Sequence, residues 1–278
     1  MNYILCDGGL ANRLNTLLVG LYLKQHTGTP WRIAWPPNSW CGARLDDLFV
    51  PPLPVADFGL SYFKKFQRKF TFLFHENQIG FPEEKIFYHS KNERLEDLER
   101  LIQTNTPLVY FHNLIPAWFS NEKFAEMARA LKVQPAIQQR VDHFVTSQGI
   151  SKTTVGIQIR KTDFGNKVNE EEIFKAVKAS KKMFFVCSDS QAVEAKFAKL
   201  PNCAVHPKSY YPQTKTNDTN WNAVTTDEDG RTYPYNIQRS SDSVKEALVD
   251  FLILSKTSIM PVSGSTFQNL AIRFSALA

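Results

Sequence analysis

An α/β fold follows from three features of this 278-residue sequence. Short apolar runs alternate along the chain with segments whose apolar residues recur at helical spacing, the pattern of parallel sheets covered by helices. The first strand runs into a glycine-rich turn and then a helix, which begins a βαβ unit. Hydrophobic residues make up 43% and charged residues 22%, as in an ordinary globular protein, and the length suits one large domain or two of about 130 to 150 residues. A linker-like stretch from Gly149 to Thr153 divides the chain into expected domains 1–150 and 151–278, each with its own α/β series.

Each element has a local reason. Tyr3-Ile-Leu-Cys6 is a short apolar strand ending in Asp7-Gly8-Gly9, and Leu14, Leu17, Leu18 and Leu21 then form one apolar stripe of a helix. Gly28 and Pro30 stop that helix, and Trp31 to Trp35 is the next strand. Val50 to Pro54 is a loop, and residues 57–90 are rich in aromatics without a clear period. Leu108 to Phe111 is a strand, and residues 121–147 form two helices around Pro135. In the second half, strands are expected over 154–159, 183–187, 203–206 and 258–260, and helices over 169–180 and 190–199. Residues 207–240 are polar and aperiodic, which marks a functional or disordered loop; with Tyr210, Tyr211, Trp221, Arg231 and Tyr233 it is a candidate lid. A strong stripe of Val244, Ala247, Leu248, Phe251 and Leu252 makes a helix for which Ser240, Ser241 or Asp242 can serve as N-cap. The turn Val262 to Thr266 leads into a last helix ending near Phe274.

Several function classes lose support. The net charge of +6 favours an anionic ligand, but the densest basic clusters (Lys64, Lys65, Arg68, Lys69 and Lys178, Lys181, Lys182) alternate with apolar residues as on solvated faces, so no nucleic-acid partner is expected. No apolar run reaches the ~20 residues of a membrane span, and the N-terminus lacks the pattern of a signal peptide. Four cysteines without a CxxC pair and six histidines without an HxxxH pair disfavour a disulfide scaffold and a zinc site. A reduced, cytoplasmic protein is expected. Hydrolase and P-loop signatures are absent.

Four segments carry polar residues at strand ends, where α/β sheets bind ligands. Gly8-Gly9-Leu-Ala-Asn12-Arg13 is either a tight βα turn or a place where free helix-start N–H groups meet an anion. Arg160, in Gln158-Ile-Arg160-Lys161-Thr162-Asp163, can grip phosphate oxygens with its planar fork or pair with Asp163. Asp189, in Ser188-Asp189-Ser190, either accepts from a ribose or base edge or caps the following helix. Ser263-Gly264-Ser265-Thr266 is either an N-cap or a diphosphate cradle of hydroxyls and helix-start amides.

These segments, with Trp35-Pro-Pro-Asn38-x-x-Cys41-Gly-Ala-x-x-x-x-Leu48-Phe49 between them, resemble in order the motifs of fucosyltransferase-like glycosyltransferases. That superfamily includes the bacterial α-1,2- and α-1,6-fucosyltransferases and the protein O-fucosyltransferases. Gln158 to Asp163 is similar to its H-x-R-x-x-D segment, with Gln158 where the family has His. Ser188-Asp189 and the Ser263 to Thr266 turn match its third and fourth segments, and the Ala247 to Ser255 helix carrying Asp250 also fits.

The resemblance implies a GT-B fold, two Rossmann-like domains facing across a cleft, with the donor held mainly by the C-terminal one and the acceptor by the N-terminal one. It implies metal-independent, inverting transfer of a sugar from a nucleotide donor, GDP-fucose above all, to a glycan hydroxyl, with no cofactor beyond that co-substrate. The donor contacts so implied are Gly8, Gly9, Asn12, Arg13, Asp189, Asp250, Ser263, Ser265 and Thr266. A departing nucleoside diphosphate needs fixed positive charge, which assigns Arg160, assisted by Ser265, Thr266 and the last helix's N-terminus. For the base that takes the acceptor proton, Asp163 and Asp7 lead, with Glu76 or His112 projecting from the N-terminal half. Among Trp35, Trp40, Trp118 and Trp221 as sugar platforms, Trp35 leads, with Asn38 and His112 as further acceptor contacts. Rival readings are a metal-dependent transferase using Asp227-Glu228-Asp229, a transferase using UDP-xylose or GDP-rhamnose, and a non-catalytic carbohydrate-binding protein, the last motivated by Gln158.

Overall fold

A computed structural model describes residues 1–277 except 67–68, 75–85, 89–94, 103–106, 112–114, 163–167, 222 and 227–231. The chain forms two compact units: residues 1–37 with 44–132, and residues 38–43 with 133–278.

The first unit is built on a six-stranded, all-parallel sheet. Its strands are β1 (Asn2–Leu5), β2 (Trp31–Ala34), β3 (Val55–Ala56), β4 (Thr71–Phe74), β5 (Ile86–Tyr88) and β6 (Leu108–Phe111), in spatial order β3-β2-β1-β6-β4-β5. Its helices are α1 (Leu10–Thr27), α2 (Leu45–Leu48), α3 (Leu60–Lys65), α4 (Leu95–Ile102) and α5 (Asn121–Ala130). The expected leucine stripe of α1 is buried, with Leu14, Leu17 and Leu18 at most 1% exposed. The aromatic stretch after residue 57 has no period because it contributes to several short elements. Phe63 and Phe70 pack edge-to-face on Tyr3 and on each other, with centroids 5.2 to 5.9 Å apart. They join Leu5, Ala34, Val109 and Phe111 in one core cluster. Each of the larger side chains contributes roughly 1.5 to 3 kcal/mol on burial.

The second unit carries a four-stranded parallel sheet, β7 (Val155–Ile159), β8 (Phe184–Ser188), β9 (Cys203–Ala204) and β12 (Ser258–Ile259), in order β12-β7-β8-β9. Helices α7 (Glu170–Ala179) and α8 (Gln191–Phe197) supply Val177, Val193 and Phe197 to a cluster with Ile157, Ile159, Phe184 and Val186. Helix α9 (Ser241–Leu254) packs against β7 and β8, and α6 (Pro135–Gln148) packs against α9. The contacts of α6 therefore place the division after Lys132 rather than near residue 150. Ser240 is the N-cap of α9, its hydroxyl accepting from the Ser243 amide, and α10 (Thr266–Ser275) ends the unit.

Two features depart from the local reading. The 207–240 stretch is not one aperiodic loop: it holds an antiparallel pair, β10 (Val224–Thr226) with β11 (Thr232–Pro234). Reciprocal backbone bonds also join Gln213 and Gln238 at 2.9 and 2.7 Å. Asn236 is fully buried there and bonds Thr216, Asp218 and Asn220. Residues 38–43, in turn, are stitched to the entry of α9 by Gly42 N–H to Arg239 C=O and Arg239 N–H to Ser39 C=O, both 2.9 Å.

A side chain at residue 42 would put its Cβ 2.4 Å from the Arg239 carbonyl oxygen and 3.1 Å from the Ser241 amide nitrogen, both backbone atoms. Gly42→Ala is expected to destabilise by about 1 to 3 kcal/mol, read as a lower urea midpoint at unchanged slope. An unchanged midpoint would show that residues 38–43 do not hold this packing in solution.

Candidate functional site

Each sheet has a strand-order reversal where its first strand in sequence meets its last, and the strand ends there open the crevice in which such sheets take ligands. In the first unit the reversal lies between β1 and β6, beside the Asp7–Gly9 turn. In the second it lies between β7 and β12, where Gln158 and Arg160 leave one strand and Ser263 to Thr266 follow the other.

The second crevice is organised by the Gln158 side chain. Its Oε1 accepts from the Ser263 hydroxyl at 2.6 Å and from the Ser265 hydroxyl at 2.9 Å. Gln268 completes the turn from inside, its Oε1 accepting from the amides of Val262 and Ser263. Gly264 sits at φ +59°, a left-handed conformation costly for other residues, so that both flanking hydroxyls reach one oxygen. Ser265 is also the N-cap of α10, accepting from the Gln268 amide at 3.1 Å. The amides of Thr266 and Phe267 are left without intrahelical partners at the positive end of a ten-residue helix. Arg160, half-buried, follows Gln158 by one strand period.

Asp189 is neither the cap of α8 nor an open acceptor. Ser190 occupies the N-cap position, while the Asp189 carboxylate accepts from the Lys161 amide at 2.7 Å and from the amide and hydroxyl of Thr162. It therefore ties the segment leaving β7 to the end of β8. Lys161 is tied further by its ion pair with Glu170 at 3.1 Å.

Behind this edge lies a buried charged cluster. Lys208 Nζ contacts Glu194 Oε1, Asp250 Oδ2 and the Ser188 carbonyl, each at 2.6 Å, and all three side chains are at most 5% exposed. Glu194 also accepts from the Ser188 amide at 2.7 Å and from the Tyr211 hydroxyl at 2.6 Å. His206 Nδ1 lies 3.8 Å from Asp250 Oδ1, and neither atom has a hydrogen-bond partner among the described residues. Arg140 pairs with Glu246 at 2.5 Å, and that carboxylate lies 4.0 Å from the same His206 nitrogen. Burial raises the Asp250 carboxyl to about 7, against the opposing pull of Lys208. Burial, helped by Arg140 and Lys208, lowers His206 to about 4. Lys208 is held charged, because its two carboxylate partners outweigh its burial.

In the first unit the Arg13 guanidinium points inward. It is fully buried, its Nε–H donates to the Gly8 carbonyl at 2.8 Å, and its carbon lies 5.1 Å from the centre of the Trp35 ring. Asp7 stands 3.7 Å from it and accepts from the Gly8 amide at 2.7 Å. Half-exposed Gly8, Gly9 and Asn12 remain at the start of α1, whose N-cap Gly9 supplies no side chain.

These placements correct several expectations. Arg13 is fully buried and supports the glycine turn from beneath rather than presenting an exposed guanidinium. Trp35, 1% exposed, has a face covered by Arg13 and is not an acceptor platform. Asp250 belongs to the buried cluster rather than to a donor surface. The hydroxyls of Ser263 and Ser265 are spent on Gln158, which leaves the helix-start amides and the half-exposed Thr266 for an anion. The Asn38 carboxamide closes its own turn, accepting from the amides of Trp40 and Cys41. Asp163, His112, Glu76, Arg231 and Asp227 to Asp229 lie outside the described residues. Among the described residues no three His, Cys, Asp or Glu side chains group as a metal site. No described helix is long and apolar enough to cross a membrane.

Sequence reasoning missed Glu194 and Lys208 altogether. Charged residues are exposed by default, and nothing local distinguishes Glu194 on α8 from its solvated neighbours. The one available signal is Pro207-Lys208 directly after a strand, at the same sheet edge as Arg160 and Asp189.

No family model and no curated protein matches the sequence. Solved structures do match over nearly the whole chain. A Bradyrhizobium fucosyltransferase, NodZ, aligns with TM-score 0.56 at 16% identity, covering 98% of this chain and 91% of its own. NodZ α-1,6-fucosyltransferase co-crystallised with GDP aligns with TM-score 0.55 at 17% identity, covering 98% and 91%. The form soaked with GDP-fucose aligns with TM-score 0.52 at 15% identity, covering 98% and 92%. The chain thus has the α/β fold of these fucosyltransferase structures.

The buried cluster generates a pH test. Asp250 keeps its proton up to about 7 in the folded state, against an ordinary 3.8, so its contribution to stability is complete below about 4 and is lost as pH rises to 7. His206 stays neutral down to about 4, against 6.5, so its contribution is complete above 6.5 and is lost as pH falls to 4. Asp250→Asn is therefore expected to have a urea midpoint that rises between pH 4 and 6.5 more than that of the unmodified protein. His206→Phe is expected to show the opposite trend, and parallel profiles for the two variants would contradict the assignment.

Proposed function

We propose that the chain is a glycosyltransferase that moves L-fucose from GDP-fucose to a hydroxyl of a glycan acceptor, with inversion and without a metal ion. The observation that carries this reading is the β7/β12 crevice. There Gln158 links the strand that delivers Arg160 to the turn that presents the free amides of Thr266 and Phe267. A guanidinium and a helix N-terminus brought to one strand-order reversal suit a pyrophosphate. The likeness in fold to NodZ structures obtained with GDP and with GDP-fucose supports the choice of nucleotide and sugar.

In this reading the second unit holds most of the donor and the first most of the acceptor. The acceptor oxygen attacks the anomeric carbon as the bond to the β-phosphate oxygen breaks, and the electron pair leaves with GDP. Arg160 and the α10 amides stabilise the charge that grows on the departing phosphate. The acceptor's proton passes to a carboxylate, for which Asp163 and half-buried Asp7 are the proposed bases. Gly8, Gly9 and Asn12 are retained as donor contacts and Asn38 and His112 as acceptor contacts. Gln158, which cannot ionise, shapes the turn and takes no proton. Work on a glycan assembled in the cytoplasm is the setting proposed.

Calorimetric titration is expected to show GDP binding, and among GDP-fucose, GDP-rhamnose, UDP-xylose and UDP-glucose the first is expected to be turned over fastest. A protein that binds sugars but ignores GDP would instead be a lectin on this frame. Arg160→Ala is expected to lower kcat by roughly 10²- to 10³-fold in a protein that keeps its fold. Full turnover by that variant would refute the role given to the guanidinium.

A further inference from the structure

We infer that the buried Glu194–Lys208 pair is a positioning device: it stands in for a missing strand at Ser188 and, through Asp189, sets the backbone from which Arg160 emerges. The inference rests on the donor assignment above and adds residues that take no part in that assignment.

The sheet is unbalanced at this edge. Strand β8 pairs with β7 along its whole length, Ser188 lying opposite Ile159. On its other side β9 ends at Ala204, opposite Phe185. The end of β8 thus runs on beyond its outer neighbour into a buried setting, where an unpaired amide or carbonyl is costly. Two side chains supply the partners. Glu194 Oε1 takes the Ser188 N–H at 2.7 Å, and Lys208 Nζ donates to the Ser188 C=O at 2.6 Å.

The ammonium is fully committed. Its three protons have three acceptors, the Ser188 carbonyl, Glu194 and Asp250, all at 2.6 Å. Those acceptors belong to β8, α8 and α9, so three elements must agree on one nitrogen position. Tyr211 holds the other Glu194 oxygen from the following loop. Buried ion pairs rarely stabilise more than apolar side chains of the same size would; what this one adds is a defined place for the Ser188 backbone.

The next residue converts that place into function. Asp189 grips the Lys161 amide at 2.7 Å and the amide and hydroxyl of Thr162, the two residues directly after Arg160. The chain of contacts runs from Lys208 and Glu194 to Ser188, to Asp189, to the 161–162 backbone, and so to Arg160. None of the first four residues needs to touch the donor.

The test removes the pair without stranding a buried charge, using the combined variant Glu194→Gln, Lys208→Met and Asp250→Asn. In the free protein, amide exchange at Lys161 and Thr162 is expected to speed up about tenfold relative to the β7 amides. GDP titrations then form a double-mutant cycle with Arg160→Ala. The combined variant is expected to weaken GDP binding about tenfold when Arg160 is present and less than about twofold when it is absent. Unchanged exchange at 161 and 162, a uniform increase across all amides, or additive losses in the cycle would overturn the inference. If the combined variant does not fold, Glu194→Gln alone should raise exchange at Lys161 and Thr162 about threefold, and no rise there overturns it equally. Failure of the unmodified protein to bind GDP would instead remove the donor assignment, with amide exchange still deciding whether the relay exists.

Discussion

Parallel strands of unequal length leave backbone amides and carbonyls without a neighbouring strand, and a buried polar group must find a partner somewhere. In the second unit those partners are side chains. Gln268 takes the amides of Val262 and Ser263 beyond β12, Asp189 takes the amides after β7, and Glu194 with Lys208 serves the end of β8. The edge of the sheet that carries the candidate site is thus shaped by the need to finish its own hydrogen bonding. What is left over there, the amides of Thr266 and Phe267, is what a ligand can use beside the half-buried Arg160.

Placing charge in the interior carries a desolvation cost that one ion pair seldom outweighs by a wide margin. Here two carboxylates share one ammonium, and a third carboxylate pairs with Arg140. His206 stays neutral in this surrounding because the cations Arg140 and Lys208 and its own burial all oppose a further positive charge. The first unit has a smaller parallel: the Arg13 guanidinium lies beneath the glycine turn, between the Gly8 carbonyl, Asp7 and the Trp35 ring. In both units a buried cation fixes the backbone at a strand exit.

The elements legible in the sequence are those whose period is long or whose ends are marked. Helices α1 and α9 announce themselves through apolar stripes, and α9 also through the Ser240 cap. Strands β1, β2, β6, β7 and β8 are apolar runs bounded by polar or turn residues. The stretch after residue 57 was illegible because its aromatics serve a core shared by elements distant in sequence, such as Tyr3 with Phe63 and Phe70. The 207–240 stretch looked formless because its order depends on single buried groups, above all Asn236, and on cross-links such as Gln213 to Gln238. Periodicity cannot register either.

Local sequence determined the alternation of strand and helix, the polar character of each strand exit and the cap of the last helix, because hydrophobic period and capping chemistry act over a few residues. Only the tertiary structure decided which of those polar residues remain open to a ligand. Arg13, Trp35, Asp250 and the two serine hydroxyls carry groups suited to binding, yet folding buries the first three and turns the hydroxyls onto Gln158. Whether a donor or acceptor is free depends on what stands within about 3 Å of it, and for groups tens of residues apart that distance is set by packing.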